Sequence, residues 1–247
     1  MMLDRRKIEE LLPKLGVTVL PRIDSTNAEA KRSARSGAGL PYLICANSQS
    51  AGRGRLGRSF YSPAGGGLYM SLAYEPKVSV ADAVSITGAA AVAVCEALDE
   101  LCKTEAEIKW VNDIYVGGRK VCGILTEAVT CGEHTVIIVG IGVNCTTDIF
   151  PDDIKDKAGS VGEVDRNLLA ASIAERLLIY AETADTGLWL PEYRRRCLVL
   201  GKEITYTDGE TARSAVAVAV DEKGGLIVNE KGKLKTLSTG EITVRIK

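Results

Sequence analysis

Residues 51–60 read AGRGRLGRSF, three glycines and three arginines in ten positions, and the reading of this stretch decides the fold. Gly52, Gly54 and Gly57 match the letters of the dinucleotide-binding G-x-G-x-x-G. That motif works only where a helix follows at once, so that its N-terminus meets the pyrophosphate. Here Arg58-Ser59-Phe60-Tyr61-Ser62-Pro63 follows, then Gly65-Gly66-Gly67, and no helix starts in such a run. A P-loop fails too, because no Gly-Lys-Ser/Thr occurs. A mobile surface loop remains as the bland reading, but the arginines count against it. Glycine lets backbone approach a ligand closely, and arginine offers permanently charged, fork-shaped donors for carboxylate and phosphate. Together they suit a loop that closes over an anionic ligand and excludes water.

The rest of the chain makes that anion site a local one. Net charge is −1 over 247 residues, so the protein is not a polycation built for nucleic acid. With 46% hydrophobic and 26% charged residues it has the balance of an ordinary globular protein with a sizeable core. Seven cysteines, none in a C-x-x-C pair, and an N-terminus without an apolar signal core point to a reduced, cytoplasmic protein with core thiols. No apolar run approaches the ~20 residues of a membrane span. The one histidine, His134, lies beside a turn and reads as solvated, which leaves little material for His-based triads or metal sites.

Working outward from the loop, residues 4–15 read as a short helix capped by Asp4, 17–23 as a strand, and 26–36 as a helix. Thr26-x-x-Glu29 has capping-box spacing and Gly37 is a stop. Strands are expected at 42–46 and 68–74, and a buried helix at 80–103 with Ser79 as its cap. Three strand-like runs follow, at 109–116, 120–129 and 135–144, the first two joined by the hairpin signal Gly117-Gly118. Residues 146–162 read as loop with room for a short helical turn, Asp165 caps a helix to about 183, and 188–197 is a further short helix. Beyond 197, short β-type runs punctuated by Asp208-Gly209, Gly224-Gly225 and Gly232 suggest a small barrel.

Three more segments carry polar groups where apolar ones are expected. In Lys109-Trp110-Val111-Asn112-Asp113-Ile114 the Asn–Asp pair interrupts an apolar strand and needs partners if buried. With the lysine it offers oxygens for Mg2+ and an ammonium for phosphate. In Arg119–Leu125, Lys120 stands next to that pair if the hairpin is tight. In Gly140-Ile141-Gly142-Val143-Asn144 two glycines weaken a strand, which signals either a ligand passing close or tight packing against a helix.

These segments, led by Asp24-Ser25-Thr26-Asn27, resemble biotin–protein ligase (biotin–[acetyl-CoA-carboxylase] ligase) over nearly the whole chain. The resemblance implies an α+β catalytic domain over 1–197, related to class II synthetases and lipoate ligases, with a mixed β-sheet and flanking helices. An SH3-like barrel is implied over 198–247, with Arg194–Lys202 leading in and Gly240-Glu241-Ile242 near its end. It implies that biotin's carboxylate attacks the α-phosphate of MgATP, and that a lysine of a biotin carboxyl carrier protein takes biotin from the adenylate. Ser25, Thr26 and Gln49 then match the polar residues reading the ureido ring, Asn27 joins them among the biotin-binding positions, and Gly52 and Gly123 match backbone lining the biotin site. Arg53, Arg55 and Arg58 match the arginines that order over the ligands, and Lys120 the lysine that contacts the carboxylate and then the acyl phosphate. Phe60, Lys109, Asn112, Asp113 and Asn144 match the nucleotide side, with Asp113 at the metal. Lys120 and Arg55 are the expected catalytic pair.

Two departures are Phe60 where the family often has Trp, and Val111 where it often has Pro. Bifunctional members carry a DNA-binding domain before D-S-T-N; with twenty-three residues ahead of Asp24, the expectation is a ligase that binds no DNA. A homodimer is expected by analogy. The alternatives at this point are a lipoate or octanoate ligase and a non-catalytic biotin-binding regulator.

Overall fold

In a computed structural model, which describes residues 2–76, 83–183, 186–208, 211–238 and 244–246, the elements follow the hydrophobic patterning. Helix α1 (Arg5–Leu11) is capped by Asp4, whose carboxylate accepts from the Arg6 and Lys7 amides. Strand β1 (Gly16–Leu20) leads to α2 (Thr26–Arg35), then β2 (Tyr42–Ala46) and β3 (Gly67–Tyr74). The cap of α2 is Ser25 rather than Thr26: the Ser25 hydroxyl accepts from the Ala28 amide, and Glu29 pairs forward with Arg32 instead of closing a capping box. This frees the Thr26 hydroxyl to turn into the molecule. Helix α3 (Ala83–Cys102) is the buried helix expected, although its proposed cap Ser79 lies outside the described residues.

The run 109–116 is not one strand. Strand β4 (Glu107–Lys109) and β5 (Asp113–Val116) pair antiparallel with a turn at 110–112 between them. Asn112, hydrogen-bonded to Arg55 and to the buried Ile124 carbonyl, stabilises this turn where apolar periodicity alone read a continuous strand. Strand β6 (Arg119–Cys131) follows through Gly117 and Gly118, at φ 56° and 76°, the left-handed pair that a two-residue hairpin requires. Strand β7 (His134–Asn144) completes the meander. Helices α4 (Arg166–Glu182) and α5 (Leu190–Arg196) close this part of the chain. The Asp165 carboxylate accepts from the Asn167 amide at the start of α4.

The first sheet is mixed, in the order β1-β2-β3-β7-β6-β5-β4, with only the β1–β2 pair parallel. Its two faces part by strict alternation. On β7, Ile137, Val139, Ile141 and Val143 enter the main core, whose helical side is built from α1, α3, α4 and α5. The residues between them, Ile138, Gly140, Gly142 and Asn144, face the other way, toward α2. Strand β3 repeats this, with Leu68, Met70 and Leu72 on the core side and Ala73 under α2. Each such Leu or Ile contributes roughly 1.5–3 kcal/mol by leaving water. Helix α2 covers only part of its face. The remainder, floored by glycine, is where the site lies.

The second sheet holds β8 (Glu203–Asp208), β9 (Thr211–Val220), β10 (Leu226–Glu230), β11 (Lys233–Leu237) and β12 (Val244–Ile246). All neighbours are antiparallel, in the order β11-β10-β9-β8-β12. Gly209 and Gly240-Glu241-Ile242 lie outside the described residues. Ile204, Tyr206, Leu226 and Val228 join the same apolar cluster as the first sheet. The Trp110 indole N–H donates to the Gly224 carbonyl at 2.9 Å, and Arg194 Nε donates to the Val220 carbonyl at 2.8 Å, so the small sheet docks beside the 110–112 turn.

The seven cysteines are free; Cys45, Cys95, Cys122, Cys145 and Cys197 are buried. His134 is exposed and pairs with Glu75, as its place beside a turn suggested. Among the described residues no helix is long and apolar enough to cross a membrane.

Candidate active site

A cavity of about 680 Å3 opens on the glycine-floored face. Gly140 and Gly142 alternate along β7, and Gly123 on β6 pairs with Gly142. A Cβ at Gly142 would come within 2.5 Å of the Phe60 ring, and one at Gly123 within 3.2 Å. A Cβ at Gly140 would stand 2.0 Å from Asn27 Oδ1. Close packing against a helix therefore holds at Gly140, which admits the Asn27 side chain of α2, while Gly142 admits neither ligand nor helix but the Phe60 ring that walls the cavity. Phe60 lies edge-on to Tyr69.

The glycine-arginine loop is folded back over this floor. Arg53 and Ser59 form a bridge, the Gly54 amide donates to the Arg58 carbonyl at 2.7 Å, and a 3-10 turn spans Arg55–Gly57. Leu56 and Gly57, at φ 58° and 71°, turn the tip. Arg53, Arg55, Arg58 and Phe60 all line the cavity. Arg55 reaches deepest: its Nη1 donates to Asn112 Oδ1 at 2.7 Å, while Asn112 Nδ2 donates to the Ile124 carbonyl at 2.7 Å. The buried Asn of the Asn–Asp pair thus has both partners it needs. Burial lowers the Arg55 pKa, opposed by the Asp113 carboxylate. The guanidinium stays charged, so this is a partly dehydrated cation with strong attraction for an anion.

Asp113 and Lys120 stand on adjacent strands, and Lys120 Nζ donates to Asp113 Oδ1 at 2.6 Å. The backbone of Lys120 is strapped from its other side. Its amide donates to the Lys157 carbonyl at 2.8 Å, and its carbonyl accepts from the Gly159 amide at 2.9 Å. Asn144 Nδ2 donates to the Gly159 carbonyl at 3.0 Å. Lys109 also lines this end.

At the other end, Thr26 and Gln49 interlock. Gln49 Oε1 accepts from the Thr26 amide at 2.8 Å and lies 3.2 Å from its hydroxyl, while Gln49 Nε2 donates to Ser62 Oγ at 2.9 Å. Ser25, Thr26, Asn27 and Gln49 all line the cavity. Asn27 does so with both N–H groups engaged, on the Leu125 carbonyl at 3.2 Å and Glu127 Oε2 at 2.9 Å. With strands ~4.8 Å apart and ~3.3 Å per residue, Gly140 and Asp113 lie roughly 12 Å from each other across the sheet. One long ligand, or two joined end to end, spans that distance.

Of the residues expected here, Gly52 is not in the wall. It lies behind it, where a Cβ would meet the Phe60 carbonyl at 2.5 Å and Ser62 Oγ at 2.7 Å. Sequence reasoning also missed a whole side of the cavity: Phe150, Asp153, Ile154, Lys157 and Ala158 from the 146–162 loop. A signal was present, since Phe150, Ile154 and Ala158 recur at the four-residue spacing of one helical face.

One carboxylate, Asp113, suits a Mg2+ that arrives on a triphosphate, because that ion takes one or two protein carboxylates and completes its shell with phosphate and water. No cluster of three or more His, Cys, Asp or Glu exists among the described residues to hold a metal by itself.

Comparison with known proteins bears on this site. The Biotin/lipoate A/B protein ligase family matches residues 19–144, and the Biotin protein ligase C terminal domain matches 199–245. The chain is 30% identical to a biotin–[acetyl-CoA-carboxylase] ligase of Paracoccus denitrificans, over 91% of this chain and 98% of that one. It is 29% identical to a bifunctional ligase/repressor BirA of Salmonella typhimurium, over 99% of this chain and 79% of the relative. Among solved structures it resembles the biotin protein ligase from Aquifex aeolicus in complex with biotin and ATP. The TM-score is 0.81 and the identity 29%, covering 94% of this chain and 99% of the other.

Proposed function

The chain belongs to the Biotin/lipoate A/B protein ligase family and is an ATP-dependent biotin–protein ligase; we propose that it delivers biotin to a lysine of a biotin carboxyl carrier protein, through the residues set out below. The observation that carries this reading is the bipolar cavity. Hydrogen-bonding groups suited to a ureido ring stand at one end, and Arg55, Lys120 and Asp113 at the other.

The chemistry explains the second end. A biotin carboxylate and a triphosphate repel each other, and fixed cations in a dry site offset that repulsion. In the first step a carboxylate oxygen bonds to the α-phosphorus and the bond to the β-phosphate oxygen breaks, releasing pyrophosphate. Lys120 would contact the carboxylate and then the acyl phosphate; Arg55, held by Asn112, would neutralise charge on the phosphate side. Arg53 and Arg58, on the loop, would close over the ligands. Lys109, Phe60, Asn112 and Asn144 would line the nucleotide, and Asp113 would hold Mg2+, which when bound neutralises phosphate charge. Lys120 and a metal would then share Asp113, whose Oδ1 now accepts from the ammonium. In the second step the carrier's amine bonds to the acyl carbon, AMP leaves with the bonding pair, and the amine loses a proton. Ser25, Thr26 and Gln49 would read the ureido ring, and Gly123, paired with Asp113, would line the biotin site toward its carboxylate end.

We further propose a cytoplasmic location, supported by seven unpaired cysteines, and a homodimer by analogy. The test of function is mass spectrometry of a carrier domain incubated with the protein, biotin and MgATP. One added biotinyl group on the acceptor lysine supports it; an unmodified carrier, with folded protein present, contradicts it.

A further inference from the structure

Behind the residues that would touch biotin runs a chain of hydrogen bonds whose direction is fixed at both ends. Lys31 Nζ pairs with Glu127 Oε1 at 2.5 Å, and Glu127 Oε2 accepts from Asn27 Nδ2 at 2.9 Å. The Leu125 carbonyl accepts from the same nitrogen. A carboxylate and a carbonyl can only accept, so the Asn27 amide has one possible orientation, with its nitrogen toward β6. Its oxygen then faces Ser71 Oγ at 2.6 Å. Ser71 is fully buried and has one proton, which it must give to Asn27 Oδ1.

The other end is fixed in the same way. Ser62 Oγ lies 3.0 Å from the Phe60 carbonyl, so its proton goes there and it accepts from Gln49 Nε2. That turns Gln49 Oε1 toward Thr26. The Thr26 hydroxyl now has two neighbours inside the protein, Gln49 Oε1 at 3.2 Å and Ser71 Oγ at 2.8 Å. Neither has a proton left to give it. Thr26 must therefore donate inward, whichever of the two receives the proton, and only its lone pairs remain for the cavity.

We infer that Glu127, held by Lys31, is a positioning residue that sets Thr26 as an obligate acceptor, so the site selects a ligand group that donates an N–H at this point. This rests on the biotin-ligase reading and deepens it. The ureido ring supplies such donors, and a dithiolane ring supplies none. Glu127 touches no ligand and acts through the Asn27 amide, whose orientation it shares with the Leu125 carbonyl, the longer bond of the two at 3.2 Å against 2.9 Å. No feature of the sequence announced it, since Glu127 stands between Thr126 and Ala128 on a long strand.

The test compares biotin with its two carbamate analogues, each with one ureido N–H replaced by ring oxygen, by calorimetric titration of wild type, Glu127→Ala and Glu127→Gln combined with Lys31→Met. Wild type should reject the analogue that sets oxygen against Thr26 by about a hundredfold, because two acceptors meet there. Glu127→Ala should weaken biotin by about tenfold and narrow the discrimination, with the KM for ATP and the kcat of exchange unchanged. Glu127→Gln alone offers one accepting oxygen to two donors, which is why it is combined with Lys31→Met; the Gln carbonyl is then free to accept from Asn27, and the pair should restore most of the affinity. Equal binding of both analogues and biotin by wild type would overturn the proposal even if Glu127→Ala failed to fold. So would a Glu127→Ala protein that binds biotin normally, or that loses biotin, ATP and kcat alike. Wild type that binds no biotin at all overturns the functional reading along with it.

Discussion

Lys120 Nζ lies 2.6 Å from Asp113 Oδ1, across the β5–β6 hairpin that Gly117 and Gly118 close. The residue expected to meet the substrate carboxylate is thus already held by the residue expected at the metal. Each would have to adjust when the other's ligand arrives. In Asp113→Asn the amide keeps the size but cannot balance the ammonium or bind Mg2+ as an anion. Pyrophosphate exchange should fall by about a hundredfold, while biotin binding without nucleotide stays near wild type. Wild-type exchange across a Mg2+ titration would remove Asp113 from this role.

The glycine floor gives a second prediction. In Gly142→Ala the new methyl would overlap the Phe60 ring, at 2.5 Å from Cε1. Ligand affinity should drop because the ring is pushed into the cavity, and Phe60→Ala should reduce the damage when combined with it. A double-mutant cycle on biotin affinity checks this, and additive effects would mean that the two do not compete for space.

Trp110 ties the site to the C-terminal sheet. Its indole N–H bonds to the Gly224 carbonyl in a buried setting. Trp110→Phe keeps most of the ring but leaves that carbonyl unpaired, which should cost about 1–3 kcal/mol in urea unfolding. An unchanged midpoint would show that the bond adds nothing.

Much of this architecture was legible because periodicity and punctuation agreed. Gly117-Gly118 marked the hairpin, and the paired glycines at 140 and 142 marked a face of β7 that other groups approach closely. The loop at 51–60 stood out by pairing glycine with arginine, and the structure places Arg53, Arg55 and Arg58 in the cavity lining. What stayed hidden depends on contacts distant in sequence. The turn at 110–112 is stabilised by Asn112 bonding to Arg55 and Ile124, which strand periodicity cannot reveal. Ser25 displaces Thr26 as the cap because the Thr26 hydroxyl has Gln49 and Ser71 as tertiary partners. The 146–162 segment is held at the site through backbone bonds to Lys120. Its four-residue apolar spacing marked a face to be covered, but which strand covers it depends on backbone bonds, which do not show in a sequence.

Acid stability gives a fourth prediction. Glu192 is held down to about 2, chiefly by the Arg195 side chain, with Arg196 adding to it and burial opposing. A depressed carboxylate stabilises the fold above its unfolded value, and that contribution disappears as pH falls through the folded one. Glu192→Gln should therefore be less stable than wild type at neutral pH by a constant amount. The gap should begin to close below the ordinary value of 4.5 and vanish near 2. Denaturation midpoints across this range check it, and a gap unchanged at the acid end would contradict it.

The account depends most on Lys120 joining two acids that repel each other, and biotin-dependent ATP–pyrophosphate exchange in Lys120→Ala measures that directly. The variant should keep its circular dichroism and melting temperature and lose about 10²–10³-fold in exchange rate. A folded variant that exchanges at the wild-type rate would contradict it.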